Sequence, residues 1–233
     1  MALKAVLESD RPVALLGGGA IGESVAARIL ALSGPVAAAD GGAEFLLARG
    51  LMPAAVIGDM DSLPPARIAS LAPGVLHRVA EQESTDFEKC LTRIAAPLVL
   101  GTGFLGARVD HMLAALSVLV RYAHRRCLLA SEEDVLFLCP PELRLDRPVG
   151  ERLSLYPLAP VSGRSEGLEW PIDGLDFAPD GRVGTSNRVS GPLRLSFDAP
   201  GMVAILPVEA LEEVTQALLD CPAHWTESRP ARG

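Results

Sequence analysis

A chain of 233 residues, 49% of them apolar, is long enough for one large domain or two modest ones around an ample core. Its 29 acidic against 21 basic residues give a formal charge of -8 with no Lys/Arg run, which argues against a nucleic-acid footprint or an anionic-membrane surface. No uninterrupted apolar run reaches the roughly 18 residues of a membrane span, no leader-like segment opens the chain, and Cys90, Cys127, Cys139 and Cys221 lack C-x-x-C spacing, so the expectation is a cytoplasmic protein with reduced thiols.

From Pro12 to about Ala130, short apolar runs alternate with longer amphipathic stretches. Strands are predicted at 12–16, 36–39, 55–57, 75–79, 97–100 and 127–130, and helices at 21–32, 85–94 and 111–122. This alternation predicts a doubly wound α/β domain, residues 1–140, with a mostly parallel sheet and helices on both faces. After about Pro140 helical periodicity gives way to short alternating runs broken by Pro, Gly, Asp and Asn. Strands at 153–156, 167–170, 182–184, 193–197 and 202–206 predict a second domain, residues 141–233, as an antiparallel β-sandwich. A terminal helix is expected at 208–219, and the aperiodic tail 222–233 is expected to be disordered.

Acidic residues concentrate at the predicted strand ends: Asp40-Gly41-Gly42-Ala43, Gly58-Asp59-Met60-Asp61-Ser62, Ser84-Thr85-Asp86-Phe87-Glu88-Lys89 and Arg108-Val109-Asp110-His111. Ligands of such sheets bind beyond the strand carboxyl ends. Carboxylates gathered there repel one another unless a hard cation such as Mg2+ lies between them, so the pattern points to metal-dependent phosphate chemistry. In an extended segment Asp59 and Asp61 project to one side at roughly 6–7 Å between Cα atoms. The same residues read equally as a solvated turn, with Asp61-Ser62 capping a helix after Pro64. Thr85 fits an N-cap with Asp86 and Glu88 in the first turn, and a helix start also accepts phosphate. Asp110 reads as the next N-cap, while Arg108 suits either neutralisation of the acids or a grip on phosphate.

Gly17-Gly18-Gly19-Ala20-Ile21-Gly22 followed by Asp40 has the form of a dinucleotide fingerprint, and a dinucleotide-dependent oxidoreductase is therefore an alternative. Hydride transfer, however, leaves the later acidic clusters without a role.

Taken together, the four acidic stretches, Gly50-Leu51-Met52-Pro53-Ala54, Gly167-Leu168-Glu169-Trp170-Pro171 and Gly184-Thr185-Ser186-Asn187 resemble the thiamine pyrophosphokinase family. The resemblance implies an ATP-dependent transfer of a diphosphoryl group to thiamine, with Mg2+ held by Asp59, Asp61 and Asp86. It also implies that Asp40, Arg108 and Asp110 organise ATP and the attacking hydroxyl, with Gly41, Gly42, Thr85, Lys89 and His111 around the nucleotide. Gln82 matches a position that hydrogen-bonds the aminopyrimidine, and Trp170, Ser186 and Asn187 become thiamine contacts. A homodimer with sites at the subunit interface is implied as well. Diphosphoryl transfer to another hydroxyalkyl heterocycle, such as a pterin, is the nearest alternative.

Overall fold

The computed structural model describes residues 4–106, 108–184 and 186–227. The chain divides into two compact units: one runs to Val118 and takes in Cys127–Glu133, and the other comprises Leu119–Arg126 and the residues from Asp134 onward.

The first unit contains, in chain order, β1 (Leu7–Glu8), β2 (Val13–Leu16), α1 (Glu23–Leu32), β3 (Val36–Ala39), α2 (Gly42–Leu47), β4 (Ala55–Gly58), α3 (Pro65–Ser70), β5 (Leu76–Arg78), α4 (Asp86–Leu91), β6 (Ile94–Ala95), β7 (Val99–Thr102), most of α5 (Val109–Arg121) and β8 (Cys127–Ala130). Its parallel sheet has the order β8-β7-β2-β3-β4-β5. The strands β2, β4, β7 and β8 are buried along their whole length, which is why they read as unbroken apolar runs. From β2 the chain winds one way through β3, β4 and β5, then returns and winds the other way from β7 to β8. Right-handed crossovers therefore put α1 and α5 on opposite faces, and the reversal leaves a switch point between β2 and β7.

Several boundaries correct the sequence reading. The helix expected at 85–94 stops at Leu91, because Thr92 Oγ1 turns back to the Glu88 carbonyl at 2.7 Å and Ile94 enters β6, paired in parallel with β1. The cap of α3 is Pro64, with Pro65 in its first turn and no side-chain bond, so Asp61 and Ser62 do not cap it. Asp110 lies inside the first turn of α5, and its Oδ1 accepts the His111 N–H at 3.0 Å. Thr85, by contrast, is the expected N-cap and accepts the Glu88 N–H at 3.2 Å.

The second unit is antiparallel. It contains β9 (Asp134–Leu138), β10 (Glu142–Leu145), β11 (Arg152–Pro157), β12 (Val161–Leu168), β13 (Asp176–Phe177), β14 (Ser186–Phe197), β15 (Met202–Pro207), a 3-10 turn (Val208–Ala210) and α6 (Leu211–Asp220). The pairings run β9-β15-β11-β14, after which the far half of β14 lies between β10 and β12, and β13 closes on β12. Residues along β10, β11 and β14 alternate between buried and solvent-facing, as expected of sheets with one covered face.

Residues 182–184 form no strand. Gly184 instead packs where a Cβ would stand 2.7 Å from the Phe177 ring. The strand expected at 167–170 begins earlier and ends at Leu168, leaving Trp170 beyond it. The described part of the tail is tied down: the Trp225 indole N–H donates to the Cys139 carbonyl at 2.9 Å, and Arg126 holds the Cys221 carbonyl at 2.6 Å. Residues 228–233 lie outside the described residues. All four cysteines are free thiols; Cys90, Cys127 and Cys139 are buried, and burial pushes their thiol pKa values up. No helix among the described residues is long and apolar enough to cross a membrane.

Candidate active site

A cleft of about 520 Å3 opens at the carboxyl ends of the parallel strands, within the size range of a small-molecule site. Its wall is drawn from the loops after β2, β3, β4, β5 and β7 and from the starts of α4 and α5. Of the residues singled out in the sequence, Gly41, Asp59, Gln82, Thr85, Asp86, Lys89, Arg108 and His111 line it. Asp40, Gly42, Asp61 and Asp110 are not part of the wall, and Trp170, Ser186 and Asn187 belong to the second unit.

At the switch point, glycine permits a close backbone approach. The Gly17 N–H donates to Thr102 O at 2.8 Å and the Gly19 N–H to Gly103 O at 3.0 Å. A Cβ on either glycine would meet Gly103 O at 2.6 Å, whereas Gly18 is unobstructed and lines the cleft. The start of α1 is otherwise engaged: Glu132 Oε1 accepts the Val25 N–H at 3.2 Å, and a Cβ on Gly22 would collide with the Glu132 side chain. A carboxylate thus sits where a dinucleotide fold would receive its pyrophosphate, which disfavours the oxidoreductase reading.

The centre of the cleft is electrostatic. Lys89 is only 2% exposed, with its Nζ 3.2 Å from Asp86 Oδ1 and 3.6 Å from Asp59 Oδ2. Burial alone would lower the lysine pKa, but the hydrogen bond and charge of Asp86, with the charges of Asp59 and Glu81, raise it, so the ammonium is the resident form. The Asp61 N–H, donated to Asp59 Oδ1 at 3.2 Å, holds the Asp59 carboxyl below its usual range, with support from Gln82 Nε2 at 3.3 Å from Oδ2 and from Lys89. The carboxylates of Asp59 and Asp86 are thereby held on one ammonium. Among the described residues no three His, Cys, Asp or Glu side chains converge closely enough to cage an ion.

Asp40 works from behind this loop. It is buried, takes an unusual φ of +37°, and accepts the Ser62 N–H on Oδ2 at 3.1 Å, while its Oδ1 has no partner. Met60, between Asp59 and Asp61, is also left-handed, at φ +69°. Backbone strain on both sides of the Asp40–Ser62 contact fits a loop held in one shape by its surroundings. Desolvation raises the Asp40 carboxyl pKa against the opposing Ser62 hydrogen bonds, and the nearby charges of Asp86 and Asp59 raise it further. Ionisation is then harder in the folded than in the unfolded chain, so folded stability falls as pH rises through the ordinary value of 3.8 and stays reduced above the folded value. Asp40→Asn is expected to raise the melting temperature at pH 7, with the gain disappearing below pH 3.8; thermal melts across pH check this.

At the lip, Arg108 forks onto Asp110, Nε to Oδ1 at 3.1 Å and Nη2 to Oδ2 at 2.5 Å. That contact pulls the Asp110 carboxyl down to about 2. Both side chains are well exposed, so the pair is a weak lock that a phosphate can replace as Arg108's partner. Phe87 and Phe104, tilted at 51° with ring centroids 4.7 Å apart, give the cleft an apolar wall that the sequence reading did not single out. Their signal was weak, one following Asp86 and the other inside a glycine-rich turn.

These features define a doubly wound α/β unit with an acid-lined ligand cleft at its switch point. Residues 27–130 match the family model for the thiamin pyrophosphokinase catalytic domain. It is 29% identical over 156 residues to thiamine pyrophosphokinase 1 of Oryza sativa subsp. japonica and 30% identical over 157 residues to that organism's thiamine pyrophosphokinase 2, in each case across 59% of this chain and 59% of the relative. The match therefore spans less than two thirds of these relatives' length. Thiamin pyrophosphokinase from Candida albicans shares the fold at a TM-score of 0.72 and 14% identity, over 88% of this chain and 93% of that one. The Geobacillus thermodenitrificans protein does so at 0.69 and 21%, over 84% and 96%.

Proposed function

We propose that the protein is a thiamine diphosphokinase, converting ATP and thiamine to AMP and thiamine diphosphate. The observation that carries this reading is the pair Asp59 and Asp86, joined through buried Lys89 in a switch-point cleft, inside the segment that matches the catalytic domain. The assembly is read as a homodimer with its sites at the subunit interface. The first domain, to about residue 140, serves ATP, and the antiparallel strands of the second close as a sandwich that serves thiamine.

The oxygen donors of Asp59 and Asp86, with Asp61 on the same turn as Asp59, suit Mg2+, which commonly takes one or two carboxylates and completes its shell with water and substrate phosphate. Bound there, Mg2+ would supply charge neutralisation on the transferred phosphates. The chain's own contribution is positioning. Lys89 fixes the two carboxylates, Asp40 and the Asp61 N–H shape their loop, and Arg108 leaves Asp110 for a phosphate oxygen. Thr85, at the N-terminus of α4, and Gly41 and His111 face the nucleotide, and Gln82 meets the aminopyrimidine. The thiamine hydroxyl oxygen forms a bond to the β-phosphorus, the bond from that phosphorus to the oxygen bridging the α-phosphate breaks, and AMP departs. The hydroxyl proton passes to Asp86 or Asp110 as the bond forms.

An acceptor panel tests the reading. Thiamine is expected to yield its diphosphate with ATP and Mg2+, with EDTA abolishing the reaction. Turnover of a hydroxymethylpterin but not of thiamine would overturn the proposed acceptor.

A further inference from the structure

We propose that Asn187 is a positioning residue whose carboxamide fixes the backbone of Trp170. The inference rests on the reading of Trp170 as the platform for thiamine's heteroaromatic ring. Asn187 is 8% exposed, yet its amide is engaged on both sides: Oδ1 accepts the Trp170 N–H at 3.2 Å and the Arg188 N–H at 2.8 Å, and Nδ2 donates to the Trp170 carbonyl at 2.7 Å. One acceptor and one donor facing a single residue reproduce what a neighbouring strand supplies in an antiparallel ladder. The Asn187 backbone is meanwhile registered with Leu153 of β11. The residue therefore joins β11 through its main chain and Trp170 through its side chain.

The need for this arises upstream. The register between β12 and β14 shifts between Glu166 and Leu168, at Gly167, whose φ is +78° and whose Cβ, if present, would meet the Gly191 carbonyl at 2.7 Å. The last main-chain contact is the Glu169 N–H to the Arg188 carbonyl at 2.9 Å, and Trp170 lies just past it. Pro171 biases Trp170 away from helical backbone. On the far side, the Ile172 N–H is held by Ser165 Oγ at 3.0 Å. With its backbone clamped, Trp170 is still 54% exposed. A large indole carried on a fixed backbone and open to solvent is a stacking surface set in place, and fixing that backbone before the ligand arrives removes part of the ordering cost of binding. The primary amide presents its donor and acceptor on separate atoms of one planar group, matching the Trp170 carbonyl and N–H.

Trp170 and Trp225 are the two tryptophans of the chain, so Trp225→Phe leaves Trp170 as the single reporter. In that background, Asn187→Ala is expected to lower Trp170 fluorescence anisotropy without ligand. It is also expected to raise the thiamine KM roughly tenfold while kcat and the ATP KM stay within about twofold, the scale of losing buried hydrogen bonds. A raised KM with unchanged anisotropy would make Asn187 a direct ligand and overturn the proposal. The underlying reading fails separately: with Asn187 intact, Trp170 emission would not respond to thiamine. If Asn187→Ala does not fold, hydrogen exchange of the Trp170 amide in the unaltered protein decides the matter, protection supporting the clamp and unprotected exchange refuting it.

Discussion

Lys89→Met is expected to abolish most turnover and to destabilise the fold, because it removes the buried cation that lets Asp59 and Asp86 face the same cleft. Methionine keeps the length of the stem and its packing, so the loss isolates the charge. Removing one partner of a buried ion pair costs on the order of 3–5 kcal/mol. The true figure here lies below that, since the Asp59 and Asp86 side chains are 20% and 37% exposed and water screens part of the repulsion. Turnover should fall about a hundredfold or more, the usual scale for losing one preorganised charge from a polar site. Steady-state kinetics and a denaturant melt read the two effects separately. A variant with wild-type kcat would show that Lys89 is structural only.

The second large effect is expected of the carboxylates themselves. Asp59→Asn and Asp86→Asn each keep shape and most hydrogen bonds but remove the anionic oxygen that suits a hard cation. Each should reduce turnover by about two orders of magnitude or more at limiting Mg2+. The double variant should lose far less than the product of the single losses, because residues that act as one unit are not additive. Stability should respond differently: either single change relieves like-charge repulsion around Lys89, so the melting temperature should fall little. Titration of activity against Mg2+ completes the test. Near-wild-type turnover for both variants at limiting Mg2+ would remove them from the site.

The parallel half of the fold was legible because its strands are covered on both faces. Residues 36–39 and 127–130 were read to the residue, both as unbroken apolar runs. The antiparallel half was legible only in texture. The β9 strand was missed behind Ser131-Glu132-Glu133, and Val183 between glycines imitated a strand that Phe177 packing and the later start of β14 do not allow. In the site, the Thr85 cap was visible because its partner lies three residues away. The burial of Lys89 was not: next to Asp86 it reads as a solvated helix pair, and only Asp59, brought from another strand end, makes it the centre of the cleft. The Glu132 cap on α1 and the Asn187 clamp are likewise contacts between segments distant in sequence, which no local pattern encodes.

The fate of labelled phosphate tests the central claim most directly. With ATP labelled in turn at the α-, β- and γ-phosphorus, thiamine and Mg2+, β- and γ-label should both pass to thiamine diphosphate, α-label should remain in AMP, and the two products should form in equal amounts. Gamma label alone reaching thiamine, with ADP as the co-product, would contradict attack at the β-phosphorus and the account built on it.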